Sequence, residues 1–446
     1  MKARGGTPIR RALVIGFGLA GLTAARVLSD HVDEVWVADR DQLPDGPQVR
    51  SGTPQARHIH NLLLRGLHEL EQLFPGFGAE LVARGGVPID LARDMRFHSI
   101  WGWFPRYASD LQACLASRPL IEHVVRERVR RLPKVRWLER HRVVALLGDA
   151  QRVRGVRCAP ADDPRASLDI EADLVLDASG RGTRLPDWLE ALVGQAPPIT
   201  EVDAQLGYAT RLYRIPPTAP EWRMLLVRNP WPSPRAGGIL TLEGGRWIVT
   251  LAGFSGDHPA TDDAGFRAFA RSLATPDIAD AMDTAAPLAD AMGYRQTMNL
   301  WRHYERMPRW PLGLAALGDS VCALNPLYGQ GMSIAAMQAA WLQDLLERHG
   351  ATLALGERLR HALPDVLSGP WAMATSEDYR YPGTRGASRS RWLGLRHRFG
   401  DAMARAAMHD LPLHYRWLRV VNLVDPPAAL LSPALLWRAV RAGWST

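Results

Sequence analysis

The order of apolar and polar residues predicts a strand–helix–strand unit near the start of the chain. Residues 12–18, ALVIGFG, form an apolar run that ends in glycine, as in a strand buried within a parallel sheet. The next segment, LTAARVLSD, predicts a helix, and EVWVADRD predicts a second strand that ends at Asp39. This alternation is typical of an α/β fold with a parallel sheet.

Two later regions of the chain have different patterns. Between residues 193 and 300, strand-like runs such as LGYATRLYRI and RWIVTLAGF alternate with proline and glycine turns, which predicts a second, sheet-based domain. Apolar positions around RWIVTLAGF favour a cavity there for a hydrophobic substrate. Residues 353–446 predict helices, with breaks expected at six prolines: Pro364, Pro370, Pro412, Pro426, Pro427 and Pro433.

The composition is that of a globular protein with more than one domain. A chain of 446 residues is too long for one ordinary core, and 47% hydrophobic with 22% charged residues excludes a disordered or fibrous protein. Three widely separated cysteines, Cys114, Cys158 and Cys322, form no disulfide or zinc pattern and favour a reducing, cytoplasmic location. The apolar runs are short or lead into glycines, so neither a membrane-spanning helix nor a signal peptide is expected.

The net charge of +8 raises the question of an anionic partner. No basic run carries aromatic residues at a stacking spacing, so we expect no nucleic-acid partner, and an anionic cofactor explains the charge more simply. Basic and apolar residues occur together after residue 385, which would also suit a helix on a membrane surface. Prolines and Asp425 interrupt that apolar run, so a helical cap on the other domains is favoured over membrane association.

A glycine fingerprint joins the first predicted strand to its helix. In GFGLAG, Gly16 permits a tight turn, Gly18 lets the backbone approach a pyrophosphate, and Gly21 allows the helix to pack closely on the strand. Asp39, about 20 residues further on, is placed to accept hydrogen bonds from ribose hydroxyls. The pattern predicts a dinucleotide site, with a glycine-rich turn in an unrelated strand–helix–strand unit as the alternative.

A second unusual turn precedes the helix predicted over residues 332–341. Pro326, Gly329 and Gly331 resist regular structure, so the backbone of NPLYGQG is shaped for a particular contact. A glycine-bearing turn that feeds a helix N-terminus presents unpaired N–H groups, which suit an anion or an electron-rich ring edge. Many surface turns carry such glycines, so the pattern alone does not identify a ligand.

Three separated blocks of the sequence carry a family resemblance. They are the fingerprint with Asp39-Arg40, the stretch ADLVLDASGRGTRLP at residues 172–186, and the segment from Gly318-Asp319 to Met332. Together they resemble the single-chain FAD-dependent monooxygenases built like p-hydroxybenzoate hydroxylase, with Ala178 in place of a usual glycine. The stretches GTPQARHIHNLLLRGLHELEQLFPG and SRPLIEHVVRERV are similar to a narrower group. This group is the bacterial flavin epoxidases and hydroxylases of polyketide and terpenoid biosynthesis, such as lasalocid and monensin epoxidases.

The resemblance implies an α/β fold in three parts. These are a Rossmann-type FAD-binding domain, an inserted β-sheet substrate domain and a C-terminal helical region. The FAD-binding domain is expected over residues 1–75, 108–192 and 301–352, the substrate domain over 76–107 and 193–300, and the helical region over 353–446. The FAD-binding domain is therefore discontinuous in sequence and resumes before Asp319.

The resemblance also implies which residues hold FAD. Asp319 would bind the ribityl chain or ribose, and residues 326–332 would pass the isoalloxazine ring with helix N-terminal amides facing its pyrimidine edge. The full expected set is Gly16, Gly18, Leu19, Ala20, Gly21, Asp39, Arg40, Arg57, Arg118, Asp319, Pro326, Gly329, Gly331 and Met332. For Arg57 and Arg118, a solvated surface arginine is the alternative.

No catalytic residue is assigned from the sequence, because in the resembled family the flavin carries the chemistry. Tyr328 and Gln330 are expected near the flavin and the oxygen-reacting region, with bracing of the turn as the alternative role. His58 and His60 lack a third ligand at a recognisable spacing, so no metal site is expected.

The expected activity is insertion of one oxygen atom into an apolar natural-product intermediate through a flavin C4a-hydroperoxide. Epoxidation is the favoured reaction and hydroxylation the second choice, with O2 as co-substrate and NADPH or NADH as electron donor. A separate flavin reductase is the alternative electron source. A flavin-dependent prenyl reductase or a non-redox cyclase on the same fold is the alternative function.

The segment Trp101-Gly102-Trp103-Phe104 resembles the Trp-x-Trp motif of flavin-dependent halogenases. Those enzymes need a lysine between the fingerprint and that motif to capture hypohalous acid. This chain has only Lys2 and Lys134, which lie on either side of the region, so halogenation is not expected. Trp101, Trp103 and Phe104 are expected instead to line an apolar cavity or to lie in the core.

Overall fold

The chain adopts a mixed α/β fold, seen in a computed structural model that describes residues 6–163 and 165–443. Lys2 lies outside the described residues. The strands, in chain order, are β1 (Arg11–Ile15), β2 (Glu34–Ala38), β3 (Val87–Asp90), β4 (Met95–Ser99), β5 (Gly102–Trp103), β6 (Gln112–Leu115), β7 (Val135–Leu138), β8 (His141–Gly148), β9 (Val153–Pro160), β10 (Leu168–Glu171), β11 (Leu174–Asp177), β12 (Ile199–Asp203), β13 (Gly207–Arg214), β14 (Met224–Arg228), β15 (Arg235–Leu242), β16 (Arg246–Gly253), β17 (Ala286–Pro287), β18 (Met292–Tyr294), β19 (Asn299–Arg302), β20 (Leu314–Ala316), β21 (Cys322–Ala323) and β22 (Arg385–Gly386). The helices are α1 (Leu19–His31), α2 (Leu64–Leu73), α3 (Phe77–Ala83), α4 (Leu91–Asp94), α5 (Arg118–Arg130), α6 (Leu185–Val193), α7 (Asp263–Arg271), α8 (Asp277–Thr284), α9 (Gly331–His349), α10 (Leu355–Asp378), α11 (Leu393–Ala407), α12 (Leu411–Val421) and α13 (Pro433–Gly443).

A parallel sheet with the strand order β20-β11-β1-β2-β7 forms the centre of the described fold. Its strands are apolar on both faces because helices cover them: Ala12, Leu13 and Val14 of β1 are fully buried. Helices α1, α5, α9 and α10 share one hydrophobic core with this sheet. Since the strands run parallel, the carboxyl ends of β1, β11 and β20 lie side by side, where ligands bind in open α/β sheets. We call this place the carboxyl edge.

A second, larger sheet has the order β17-β13-β16-β15-β14-β4-β5, with β18 also paired to β13. Its neighbours are antiparallel except for β14 and β4, which run parallel. Strands β4 and β5 bring residues 95–103 into a sheet whose other strands come from residues 207–294. Helices α7 and α8 join the hydrophobic core of this sheet, around the buried rings of Tyr213, Trp247 and Phe266.

Smaller sheets complete the described part of the fold, with the orders β21-β19-β12-β22, β10-β9-β8 and β3-β6. The α/β class expected from the sequence is confirmed, and the exact domain boundaries stay a prediction. Of the helices within residues 6–163 and 165–443, none has the length and apolarity needed to cross a bilayer.

Two of the six prolines expected to break helices lie inside one. Pro364 and Pro370 occur within α10, so the expectation was wrong for them. Each proline removes one backbone donor, but α10 packs very tightly on β20, where a Cβ on Gly356 would come within 1.6 Å of the Leu314 carbonyl oxygen. Tertiary packing of α10 therefore outweighs the local cost of the prolines.

Helices α11, α12 and α13 pack beside strands β4 and β5. Phe104, just after β5, stacks on Trp417 of α12 with ring centroids 4.8 Å apart, and Met403 and Leu413 are buried in the same cluster. Helix α13 begins at Pro433, a position where proline is tolerated because its missing N–H would be unpaired anyway. The C-terminal region thus forms a helical cap on the larger sheet.

Candidate cofactor site

The three blocks of sequence that carry the resemblance meet at the carboxyl edge. Gly16 follows β1, Asp177 ends β11 and Gly318 follows β20. The Leu317 N–H donates to the Asp177 carbonyl at 2.9 Å, and a Cβ on Gly318 would lie 2.6 Å from the Cβ of Ala20. Segments separated by more than a hundred residues therefore build one continuous surface.

The fingerprint glycines differ in what surrounds them. Gly16 has φ +110°, and a Cβ there would lie 2.5 Å from the Ala178 carbonyl oxygen. A Cβ on Gly21 would lie 1.9 Å from the Gly16 carbonyl oxygen, so α1 could not pack on β1 with a larger residue. A Cβ on Gly18 would meet nothing within 4 Å. Contacts within the chain explain the first and third glycines, whereas the open space at Gly18 suits a ligand that approaches the backbone.

Two helices begin at the carboxyl edge without a capping side chain. Helix α1 follows Gly18 and α9 follows Gln330, and no side chain of the described residues caps either N-terminus. A Cβ on Gly331, like one on Gly18, would meet nothing within 4 Å. Helix α5, by contrast, is capped by the Ser117 hydroxyl, which accepts from the Leu120 N–H. Free N–H groups and the helix dipole at α1 and α9 favour a ligand that carries negative charge.

The carboxylate of Asp39 lies directly against the fingerprint turn. It accepts hydrogen bonds from the Phe17 N–H at 2.7 Å and from the Asp41 N–H at 2.9 Å. Burial raises the pKa of Asp39, while the Asp41 N–H and the charge of Arg50 oppose the rise. The carboxylate is 14% exposed, which leaves it accessible to a ribose hydroxyl.

Arg50 forms an ion cluster at the fingerprint that the sequence analysis did not predict. Its guanidinium lies 3.1 Å from Asp41, 3.7 Å from Asp39 and 3.6 Å from Glu122 of α5. It also donates to the Phe17 carbonyl at 3.2 Å, and its side chain is only 4% exposed. Arg50 therefore ties the fingerprint, the loop after β2 and helix α5 together.

The arginines that were expected after the second strand lie at the surface. Arg40 and Arg57 are exposed, and Arg57 Nη1 lies 3.5 Å from the sulfur of Met292. Among the described residues, neither guanidinium contacts the Asp39 carboxylate. A contact of Arg40 or Arg57 with FAD stays a prediction. The sequence places Arg50 in the loop that follows β2 and Asp39. A loop sequence does not show which of its arginines is buried, so Arg50 was not predicted.

Arg118 extends the ion cluster toward the second turn. It is the first residue of α5, and its Nε donates to Glu122 at 2.8 Å. Its Nη1 lies 3.4 Å from Nε2 of His60, whose Nδ1 lies 2.9 Å from the His58 carbonyl. Burial and the charge of Arg118 lower the pKa of His60 to about 3, so the ring is neutral: Nδ1 donates and Nε2 accepts. Burial alone would raise the pKa of Glu122, but Arg118 and Arg50 outweigh burial and lower it.

Asp319 presents a carboxylate without a partner at the carboxyl edge. The residue is half-buried, and within residues 6–163 and 165–443 its side chain has no hydrogen bond or ion pair. The backbone N–H of the neighbouring Gly318 already has a partner, since it donates to Oε1 of Gln338 at 2.7 Å. Burial raises the pKa of Tyr294, and the nearby charge of Asp319 adds to the rise. A half-buried acceptor among satisfied groups is available to a ligand hydroxyl.

The turn before α9 is held from behind by Asp378 of α10. The carboxylate accepts from the Tyr328 hydroxyl at 2.6 Å, from Nδ2 of Asn325 at 3.0 Å and from Nδ2 of Asn299 at 2.5 Å. Burial raises the pKa of Asp378 to about 6, so the group is ionised at neutral pH and receives three donors. The Tyr328 hydroxyl thus braces the turn, which was the alternative role for that residue.

Two buried acceptors beside the same turn have no partner among the described residues. They are Oε1 of Gln330 and Oδ1 of Asn61. Asn61 lies beside the turn, because a Cβ added to Gly329 would be 3.5 Å from the Cβ of Asn61. Unpaired buried acceptors are costly, so these two positions suit a ligand that supplies N–H donors. Met332 is packed in the main core, so only its backbone faces the turn.

Three further residues from the sequence analysis differ in how deeply they are buried. Cys322 is buried, and burial raises the pKa of its thiol, so it is a packed small residue. Phe104 is buried as expected, but Trp101 is 38% exposed with the Arg405 guanidinium 4.7 Å from its ring centroid. The prediction for Trp101 was wrong because the β4–β5 turn lies at the surface edge of the larger sheet.

The fold has well-matched relatives among solved structures, although no family model matches the sequence. The flavin-dependent brominase Bmp2 aligns with a TM-score of 0.68 at 13% identity, covering 97% of this chain and 98% of that chain. PqsL of Pseudomonas aeruginosa, a probable FAD-dependent monooxygenase, aligns with a TM-score of 0.58 at 18% identity over 83% and 93% of the two chains. The Diels–Alderase PyrE3 of pyrroindomycin biosynthesis aligns with a TM-score of 0.61 at 15% identity over 93% and 80%. The architecture is therefore the one shared by FAD-dependent monooxygenases and halogenases.

A sequence relative covers nearly the whole chain. Protein Rv3254 of Mycobacterium tuberculosis (strain ATCC 25618 / H37Rv) is 31% identical over 452 aligned residues, which span 99% of this chain and 95% of that protein. The chain belongs to the family of Rv3254.

Proposed function

We propose that the protein is a FAD-dependent monooxygenase that inserts one oxygen atom into an apolar polyketide or terpenoid intermediate. Epoxidation is the leading reaction and hydroxylation the second, with NADPH or NADH as electron donor and O2 as the source of the oxygen atom. The observation that carries FAD binding is the carboxyl edge itself. Within the described part of the chain, it combines two uncapped helix N-termini, open space at Gly18 and Gly331, and the unpaired carboxylate of Asp319.

Each feature of the carboxyl edge matches a different chemical part of FAD. The N-terminus of α1 with Gly18 suits the pyrophosphate, Asp39 suits a ribose and Asp319 suits the ribityl chain or ribose. The N-terminus of α9 at Gly331 suits a ring that carries negative charge when reduced, because the helix dipole stabilises that charge. The buried acceptors of Asn61 and Gln330 suit ring N–H groups. Bound and reduced FAD supplies the activation of oxygen, and the protein supplies position and electrostatics.

The side chains beside the turn favour epoxidation over aromatic hydroxylation. Epoxidation of an alkene needs no general base that acts on the alkene, whereas aromatic hydroxylation wants a base or a phenolate-stabilising group. The Tyr328 hydroxyl donates a hydrogen bond to Asp378, and both ring nitrogens of His60 already have hydrogen-bond partners. Tyr328 and His60 are thus committed to other contacts, and Asp319 is the residue proposed to bind the cofactor.

Anaerobic titration with NADPH tests the proposal. Purified protein is reconstituted with FAD, and its visible spectrum is recorded as NADPH is added without oxygen. We expect a bound flavin that bleaches, followed on aeration with an olefinic substrate by incorporation of one atom from 18O2. A bound flavin that stays oxidised with NADPH, but yields oxygenated product once a flavin reductase is added, would assign reduction to a partner. Failure to bind FAD would refute the proposal.

A non-redox cyclase is the second candidate function, and the likeness to the Diels–Alderase PyrE3 favours it. Product formation without oxygen consumption would support the cyclase over the monooxygenase. We do not propose halogenation, although Bmp2 shares the fold. In the described part of the chain Lys134 is the only lysine, and its Nζ donates to the Val32 carbonyl at 3.0 Å, beyond the C-terminal end of α1 and away from the fingerprint.

A further inference from the structure

The helical cap exposes an unusual number of apolar side chains. Of the fourteen large hydrophobic residues that are exposed in the described part of the chain, seven lie between residues 392 and 440. They are Trp392, Leu395, Leu411, Leu431, Leu436, Trp437 and Val440. We call this set the outer face of the cap. These side chains lie on or next to helices α11, α12 and α13, and such an accumulation of exposed apolar residues marks an interaction site more often than single exposed residues do.

The outer face is distinct from the face that packs on the larger sheet. Helix α13 turns Leu435 and Ala439, one helical turn apart, toward the cluster that contains Phe104. It leaves Leu436 and Val440, also one turn apart, exposed. Leu435 and Ala439 explain why α13 packs on the protein. They do not explain why Leu436 and Val440, on its other side, are apolar.

The same region carries most of the net charge of the protein. Residues 385–441 contain ten arginines and three aspartates, so they hold seven of the eight net positive charges of the chain. Each aspartate is already paired with an arginine: Asp401 at 2.9 Å, Asp410 at 3.0 Å and Asp425 at 2.7 Å. Arg396 and Arg398 on α11 are exposed. The region that carries the outer face is therefore basic, and its three aspartates are already paired.

We propose that the outer face docks on an anionic lipid bilayer, with its tryptophan and leucine side chains in the headgroup region and its arginines against lipid phosphates. Tryptophan is favoured at the lipid–water boundary, and the Arg391 guanidinium lies 5.0 Å from the ring centroid of Trp392, so cation and indole are presented together. A second copy of the chain fits less well, because it would bring together two regions of net charge +7, residues 385–441 of each copy, whose aspartates are already paired.

Docking in this orientation has a consequence for an apolar substrate. The cap that carries the outer face adjoins the β4–β5 edge of the larger sheet, where the Arg405 guanidinium of α11 lies over the exposed ring of Trp101. The sheet expected to bind substrate would then lie close to lipid. This consequence rests on the proposed function, whereas the docking itself does not.

Vesicle sedimentation of the full-length, FAD-reconstituted protein tests the docking. We expect binding to vesicles of equal parts phosphatidylglycerol and phosphatidylcholine, little binding to phosphatidylcholine alone, and release as salt is raised. Arg396→Gln with Arg398→Gln should weaken binding about thirtyfold, since each basic residue near an anionic surface contributes about fivefold. The matched control is Arg142→Gln with Arg309→Gln, two exposed arginines outside the cap, and it should bind as the wild type does.

Three outcomes would overturn the proposal. One is absence of wild-type binding to the anionic vesicles. Another is an equal loss in both arginine pairs, since net charge and not the outer face would then govern binding. The third is a concentration-dependent dimer in analytical ultracentrifugation that Trp392→Ser with Trp437→Ser abolishes, because a second copy would then cover the face. The same tryptophan pair should instead weaken vesicle binding and leave the FAD spectrum unchanged.

Discussion

Replacement of Gly331 by alanine separates the stability of the protein from its affinity for FAD. Gly331 is the first residue of α9, and a Cβ there meets nothing within 4 Å. The methyl group therefore has no steric cost for the protein alone. Alanine is more favourable than glycine within a helix by about 0.5–1 kcal/mol, so the protein without FAD should gain up to about that much stability.

The same methyl group should weaken FAD binding. It would fill the space in which we propose that the flavin ring lies against the N-terminus of α9. Adding a methylene-sized group to a well-packed contact costs about 1–3 kcal/mol, and about 1.4 kcal/mol is a tenfold change in affinity. The Kd for FAD should therefore rise roughly 5- to 150-fold. One substitution is expected to move stability and affinity in opposite directions.

Urea unfolding without FAD and flavin fluorescence titration measure the two effects. Gly394→Ala is the matched control, because Gly394 lies in the first turn of α11 and a Cβ there also meets nothing within 4 Å. It should raise stability by a similar amount and leave the Kd unchanged. If Gly331→Ala binds FAD as tightly as the wild type, the proposed position of the cofactor is wrong. If it instead destabilises the protein without FAD, the space at Gly331 is not open.

Three further substitutions test the electrostatics. Arg50→Gln should destabilise the protein by about 3–5 kcal/mol in urea unfolding, because three carboxylates lose their shared cation, whereas exposed Arg57→Gln should change stability by less than about 0.5 kcal/mol. Equal effects would contradict the role of Arg50. The folded-state pKa of Asp378 is about 6, above its ordinary 3.8, so the folded protein holds an extra proton between these values. Stability of the wild type relative to Asp378→Asn should fall by about 3 kcal/mol as pH rises through this window, and a flat difference would contradict the assignment. Burial lowers the pKa of His414 to about 4, and neither of its ring nitrogens has a partner among residues 6–163 and 165–443. The folded state therefore holds His414 neutral, and stability is lost as pH falls from 6.5 toward 4 because the unfolded chain takes up the proton first. His414→Phe should raise the urea midpoint, with a gain that grows as pH falls to about 5, and an equal or smaller gain there would count against this reasoning.

The parts of the site that were predictable from the sequence depend on local geometry. Gly21 lies against Gly16, five residues earlier, so the spacing of these two glycines already encodes the close packing of α1 on β1. The start of α5 at Arg118 is also set by neighbouring residues, since Ser117 and Pro119 are standard residues for a helix N-terminus.

The parts that were missed depend on contacts across the fold. Asp378 lies 50 residues after Tyr328, and nothing in its own neighbourhood indicates that α10 places it behind the turn. Arg50 and Arg57 lie in the same loop region, and only the packing of α5 against the fingerprint selects Arg50 for burial. The prediction of helix breaks at Pro364 and Pro370 was wrong for the same reason, because the tight contact of α10 with β20 outweighs the local effect of the prolines.

The carboxyl edge draws on parts of the chain that leave the ribosome at very different times. Strand β1 and the start of α1 emerge first, whereas α9 begins at residue 331 of 446, after all strands of the larger sheet. A nascent chain can therefore fold the α1 side of the edge early but cannot close it around a cofactor until about three quarters of the chain has been made. With FAD bound at the carboxyl edge as proposed, its incorporation is a late step in the biogenesis of this protein.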